Sequence, residues 1–222
     1  MNNTTNNISF LNKFQTFLKN YYKKLLILLI ILLTFFFIFQ IYIFYAKNKI
    51  LETSIEFNQA QLSSSPESFQ AKMEKLSSQK NFYGVLATLE LINIKLDNNN
   101  IDSSNDDYLN LLNQKNLSSI YISAIATHAS YSFLDKINKG NEEYIAEKIN
   151  NFLSFIDSSL EFYEGYALEI RYLLSIIKQD NNNDSFIYDE TQNLYADIMS
   201  NERVSASLKE RVKTIHESQK YK

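Results

Sequence analysis

Apolar residues follow two different patterns along this chain. From Leu25 to Ala46 they are continuous: LLILLIILLTFFFIFQIYIFYA carries no charge, and Thr34 and Gln40 are its only clearly polar side chains. After Ala46 they recur at helical spacing, three or four residues apart, with polar residues between them. The continuous run of 22 residues spans ~33 Å as an α-helix, against a bilayer hydrocarbon core of ~30 Å. Seventeen of its residues are Leu, Ile or Phe. At about −0.3 to −0.6 kcal/mol for each central one, insertion into lipid is favoured by up to about 5–10 kcal/mol. A cleaved signal sequence would have a shorter apolar core, about 7–15 residues, and would end in a small-x-small site. The YAKNK that follows lacks such a site. An uncleaved transmembrane helix is therefore expected at 25–46.

The flanks orient it. Lys13, Lys19, Lys23 and Lys24 precede the run, and residues 1–24 hold no acid. Lys47 and Lys49 follow it, with Glu52 and Glu56 close behind. Basic residues concentrate on the cytoplasmic side of a span. Residues 1–24 are thus expected in the cytoplasm and residues 47–222 outside. Tyr21 and Tyr22 on one side, and Tyr42 and Tyr45 on the other, suit interfacial aromatic belts.

The periodic part predicts an all-α domain. Residues 47–65 read as a stalk and linker that continues the membrane helix until SSSP at 63–66 interrupts it. Ser65 then caps a helix with Pro66 at its first position, where a missing N–H costs nothing. Phe69, Met73 and Leu76 share one face. Residues 81–96 carry two stripes: Phe82, Val85, Leu86 and Leu89, and Tyr83, Ala87, Leu91 and Ile94. Residues 117–137 also carry two: Tyr121, Ala124, His128 and Tyr131, and Ile122, Ala126, Ala129 and Phe133. Residues 160–179 place Tyr166, Ile170, Leu173 and Ile177 on their main face. Two stripes predict a helix covered on two sides. Between these lie a polar loop at 97–105, a short helix to about 114, a KGN turn at 139–141 with Gly140 as a C-cap residue, and an amphipathic helix at 142–156. A DNNND loop at 180–184 and helices near 185–199 and 204–219 finish the chain.

The doubly striped helices begin near 81, 117 and 160, each followed by a thinner partner. Helical hairpins repeated every ~34–45 residues are the signature of a tetratricopeptide-like solenoid, here over 66–222. An ordinary helical bundle is the other architecture the periodicity allows. Small residues are expected where paired helices approach closely, and Gly84, Ala87, Ala126, Ala129, Ala146, Gly165, Ala167 and Ala196 are placed to fill that role.

Charge narrows the function. All 25 acids lie after residue 46 together with 18 of the 22 bases, so residues 47–222 carry a net charge of −7. An acidic domain lacks the basic footprint of nucleic-acid binding. The absence of cysteine excludes disulfides, cysteine-ligated zinc and thiol catalysis. Asn is abundant while Gly, Pro and Arg are scarce, so the Asn runs at 98–100 and 181–183 read as loop filling.

No catalytic constellation is legible, and no enzyme activity, cofactor or metal is expected. His128 and His216 are the only histidines. His128 sits in a helix apolar on both sides and reads as a packed or groove-lining ring; His216, in a mostly polar helix, reads as solvated. The pairs Asp106–Asp107 and Glu142–Glu143 read as helix-start charges, worth ~0.3–1 kcal/mol each. DNNND resembles the start of a calcium loop, but Ser185 and Thr191 stand where that loop needs Gly and Glu. Arg171, one of three arginines, is either a structural ion pair with a neighbouring helix or a groove arginine for a partner's carboxylate or backbone.

The layout and the stretch NFYGVLATLEL at 81–91 resemble the YfgM-like family of ancillary SecYEG translocon subunits. Tyr83, Gly84, Leu86, Ala87, Leu89, Glu90 and Leu91 match the segment that opens that family's first full repeat. Glu169-Ile170-Arg171 resembles an acidic-apolar-Arg step in a later repeat helix, with Tyr172 standing where a small residue is expected. The resemblance implies a bacterial inner-membrane protein with a periplasmic tetratricopeptide-like domain. It also implies protein partners: translocon subunits, periplasmic chaperones or exported chains. A solenoid binds along the face lined by the first helix of each hairpin. Tyr121, His128, Tyr131 and Arg171 are therefore the candidate groove, and Gly84, Ala87 and Gly165 the candidate close helix contacts. A structural tether of the cell envelope, unrelated to export, is the second function class these features fit.

Overall fold

In the computed structural model, the backbone is described for residues 3–181, 185–219 and 221, and the side chains for residues 19, 21–179, 188–219 and 221. The described residues are all-helical, and residues 182–184 of the expected DNNND loop lie outside them. The chain divides into two compact units at Gly84–Val85.

The first unit is dominated by α1 (Asn3–Gln61), which runs without a break from the N-terminal segment through the apolar run into the expected stalk. No proline or glycine precedes Pro66, so no residue in this stretch opposes the helix. From Leu26 to Tyr45 nearly all the large apolar side chains stand exposed, Phe35 and Ile41 by 68%. The helix is long and apolar enough to cross a membrane.

The last turns of α1 behave differently. They form one arm of a hairpin with α2 (Pro66–Ser77), burying Phe57 and Ala60 against Met73 and Leu76. Ser65 caps α2 by accepting the Ser68 N–H at 3.2 Å, with Pro66 in the first turn as expected. Within residues 47–65, Thr53, Phe57 and Ala60 are buried while Ile55 stays exposed. The first compact unit runs through α2 and its following turn to Gly84.

That turn explains Gly84. Asn81 accepts the Gly84 N–H on Oδ1 and donates from Nδ2 to the buried Thr53 hydroxyl, each at 3.1 Å, so within the first unit one side chain caps the first turn of α3 (Phe82–Asp97) and bonds to α1. A Cβ on Gly84 would stand 1.9 Å from the Gln79 carbonyl oxygen and 3.3 Å from that of Leu76. The close approach is to the backbone at the end of α2 and in the turn beyond it.

The second unit continues α3 into α4 (Ile101–Leu112), α5 (Ser119–Leu134), α6 (Glu142–Leu153), α7 (Glu161–Asn181), α8 (Ser185–Ser200) and α9 (Ala206–Gln219). Helix α4 starts earlier than the polar sequence predicts. Its buried face mixes Tyr108, Leu111 and Leu112 with Ser104 and Asn105, so the N-terminal part of that face looks polar in sequence. The loop before it shrinks to 98–100, with Asn99 in the left-handed region at φ 60°. Asp106 and Asp107 therefore lie inside α4 rather than at its start, and Asp107 pairs with Lys95 of α3. Gly140 has φ +103° in the turn before α6, but it is not the C-cap of α5, which ends at Leu134 with Asp135 capping.

Sequential helices pack as neighbours: α4 on α5, α5 on α6, α6 on α7, α7 on α8 and α8 on α9. The odd-numbered α5, α7 and α9 also touch one another in turn. Tyr108, Phe133 and Phe152 meet edge-to-face with centroids 5.1–6.1 Å apart, joining α4, α5 and α6. A second cluster gathers Tyr172, Ile176, Ile198, Val204, Leu208 and Val212 from α7, α8, α9 and the turn before α9. Ala87, Ala126, Ala129, Ala146 and Ala167 are buried. Ala196 is exposed, so it serves no close contact. A Cβ on Gly165 would sit 3.5 Å from Leu208 Cδ1, an ordinary contact, so that crossing does not require glycine.

The two glycines should therefore respond oppositely. Gly84→Ala forces a shift of backbone and costs roughly 1–3 kcal/mol or more. Gly165→Ala removes helix-interior glycine without a clash and is neutral or stabilising by up to ~1 kcal/mol. Circular-dichroism melts of the detergent-solubilised full chain measure both. A wild-type melt for Gly84→Ala would contradict the tight turn.

Candidate protein-binding surface

The expected groove stripe on α5 splits into three environments. Tyr121, in the first turn, is 47% exposed. His128 keeps an exposed edge but places Nδ1 2.9 Å from the hydroxyl of the fully buried Tyr108 on α4. Burial holds the His128 pKa below its ordinary value, with the Glu90 charge opposing the shift. Burial also pushes the Tyr108 hydroxyl up to about 12.

Tyr131 is half-buried, and its hydroxyl donates to Glu169 on α7. Burial, then this bond, raises its pKa above the usual tyrosine value. The Glu169 carboxylate is 1% exposed and receives a two-pronged guanidinium from Arg211 of α9, with Nε at 2.6 Å and the second nitrogen on the other oxygen. The same guanidinium lies 5.8 Å from the centroid of Tyr166, whose ring meets Tyr131 edge-on at 6.2 Å. Its bond to Glu169 raises the Arg211 pKa further. Tyr131 thus belongs to a polar clamp joining α5, α7 and α9 and does not offer a free hydroxyl to a groove. A charge buried this way is tolerated because it is both paired and fully hydrogen-bonded.

Arg171 is exposed and forms no ion pair among the described residues. The paired arginines among the described residues of this unit are Arg203, with Glu161 and Glu164, and Arg211, with the buried Glu169. His216 is likewise not a solvated ring. Its Nδ1 lies 3.0 Å from the hydroxyl of fully buried Tyr172, and its ring stacks on Tyr195 at 3.9 Å and 14°. Both histidines therefore meet a buried tyrosine hydroxyl through Nδ1.

Exposed apolar side chains outside the periodic stripes stand at the starts of two odd helices: Ile120 (53% exposed) beside Tyr121 on α5, and Phe162 (60%) on α7. The Asp157 N–H, just before α7, donates to Ser123 Oγ in α5 at 3.0 Å, which puts these helix starts at the same end of the unit. Elsewhere an open cleft of about 800 Å³ is lined by Lys139, Glu142, Glu143, Glu147 and Lys178. No group of three or more His, Asp or Glu side chains able to hold a metal occurs among the described residues. What the surface presents is adaptable contact: amphipathic tyrosine, an exposed isoleucine, a phenylalanine resting edge-on against Tyr163 and Tyr166, and an exposed guanidinium.

No family model matches the chain, nor does any curated protein or solved structure. The described residues are all-helical, and among them one helix is long and apolar enough to cross a membrane.

The clamp makes an ordered prediction. Arg211→Ala leaves a carboxylate buried with only a hydroxyl donor, and should cost about 3 kcal/mol. Glu169→Gln leaves no buried charge and frees a half-exposed arginine to water, so it should cost about 1–2 kcal/mol. Tyr121→Ala should leave the melting temperature unchanged. Equal losses for the two clamp variants would mean the carboxylate is not buried as described.

Proposed function

We propose that this chain is a non-enzymatic interaction protein anchored in a bacterial inner membrane. Its N-terminus lies in the cytoplasm and residues 47–222 in the periplasm, with the helices from α3 onward forming a tetratricopeptide-like array. The observation that carries the reading is one helix able to cross a membrane, joined to helical hairpins whose odd members α5, α7 and α9 touch in turn. That neighbour pattern is the one stacked hairpins produce, since each repeat meets the next. Such arrays hold extended or helical segments of other proteins without chemistry. Ile120, Tyr121, Phe162 and Arg171 supply exposed contacts of the appropriate kind. Fixing the array at a membrane raises its effective concentration near a membrane partner, so weak binding suffices.

The partner we assign is the Sec translocon, with periplasmic chaperones or emerging chains as further contacts. This assignment rests on the resemblance of residues 83–91 and 169–171 to the YfgM-like family. A photo-crosslinking residue placed at Tyr121, Phe162 or Arg171 of the full chain in cells tests it. The expected products are translocon subunits or exported chains, lost when residues 25–46 are replaced by an unrelated span. Crosslinks only to cell-wall or division proteins, unaffected by that replacement, would overturn it in favour of an envelope tether.

A further inference from the structure

The segment before the apolar run has a pattern of its own. Helix α1 includes it, so its residues advance at the helical period. At 100° per residue, positions 8, 10, 11, 14, 17, 18, 21, 22 and 25 fall within an arc of about 180°. All nine are Ile, Leu, Phe or Tyr. The opposite arc holds Lys13, Lys19, Lys23 and Lys24 with Ser, Thr and Asn between them, and Gln15 alone falls at the apolar edge. No acid occurs anywhere in residues 1–24. Lys19, Lys23 and Lys24 are exposed, as are Tyr21 (44%) and Tyr22 (55%).

We propose that residues 8–24 lie along the membrane surface, with their apolar arc toward the acyl chains and their lysine-bearing arc toward anionic lipid headgroups. A basic, aromatic-rich helix of this kind matches the interface between hydrocarbon and negative headgroups. Charge decides against a second copy as the occupant. Four lysines with no acid repel their counterparts, whereas an anionic leaflet attracts them. The span tethers the segment beside the headgroups, so no search is needed. That placement requires α1, continuous at this point, to bend between Asn20 and Lys24 at headgroup level, where water takes up the backbone groups the bend frees. The inference rests on the reading that residues 25–46 cross the membrane, and the test separates the two.

The chain has no cysteine, so single-cysteine variants Phe14→Cys, Thr16→Cys and Phe36→Cys of the full protein can carry an environment-sensitive fluorophore. Each is reconstituted in phosphatidylcholine vesicles with and without phosphatidylglycerol. The label at 36 should be quenched by acyl-chain spin-labelled lipid in both. With phosphatidylglycerol, the label at 14 should be quenched by shallow spin-labelled lipid and lose its iodide accessibility several-fold relative to 16. Replacing Lys19, Lys23 and Lys24 by Gln should abolish that dependence on phosphatidylglycerol. Equal iodide access at 14 and 16 while 36 stays quenched would overturn the inference and leave the anchor standing. An unquenched label at 36 would overturn the anchor itself. Shielding at 14 that weakens on diluting the protein in the bilayer, without lipid quenching, would overturn the inference in favour of a second copy.

Discussion

An uncharged helical surface as broad as that of residues 25–46 is stable only against hydrocarbon or another apolar surface, and among the described residues of its own unit nothing covers it. The rest of the first unit is arranged around that constraint. The helix does not stop where its apolar character stops. It continues to Gln61, so Phe57 and Ala60 are delivered, already helical, to Met73 and Leu76 of α2. A helix with so long an exposed stretch gains little from propensity alone, and the α1–α2 hairpin fixes its far end. Thr53 and Asn81 then lock the turn into α3, and that turn is what demands glycine at 84.

The second unit faces a different problem at its C-terminal end. Helix α9 buries only Leu208 and Val212, too little apolar surface to hold a 14-residue helix by packing alone. Polar links supplement it. Arg211 reaches the Glu169 carboxylate and His216 reaches the Tyr172 hydroxyl, both on α7. Through Tyr131 the first link extends to α5, so one buried carboxylate sets the mutual position of three helices. The Tyr108–His128 pair does the same between α4 and α5. In each case a buried polar group is satisfied and the geometry of the contact is specified more narrowly than apolar packing would require.

Features written within a few residues were legible in the sequence. The continuous apolar run, the Ser65–Pro66 cap and the inward stripe of Ala126, Ala129 and Phe133 are all local patterns, and each has its counterpart in the structure. The misread parts are those decided by distant residues. Glu169 and Arg211 are 42 positions apart, and Tyr172 and His216 are 44 apart, so no spacing announces them. Tyr131 consequently looked free and His216 looked solvated. The start of α4 was placed too late because Ser104 and Asn105 are buried although polar. Phe162 and Ile120 escaped notice because an apolar residue on the outside of a helix start carries no periodic signal.

Amide hydrogen exchange of the full chain in a lipid nanodisc tests the central claim most directly: from Leu25 onward α1 crosses the bilayer without a break and then packs on α2. Exchange reports local opening of the backbone along its length. The account predicts continuous strong protection from about residue 25 through Ala60, without a gap at the membrane exit. It also predicts that Phe57→Ala accelerates exchange in residues 53–60 and in α2 while leaving 25–46 unchanged. Fast exchange within 25–46, or an unprotected break between 47 and 52, would contradict it.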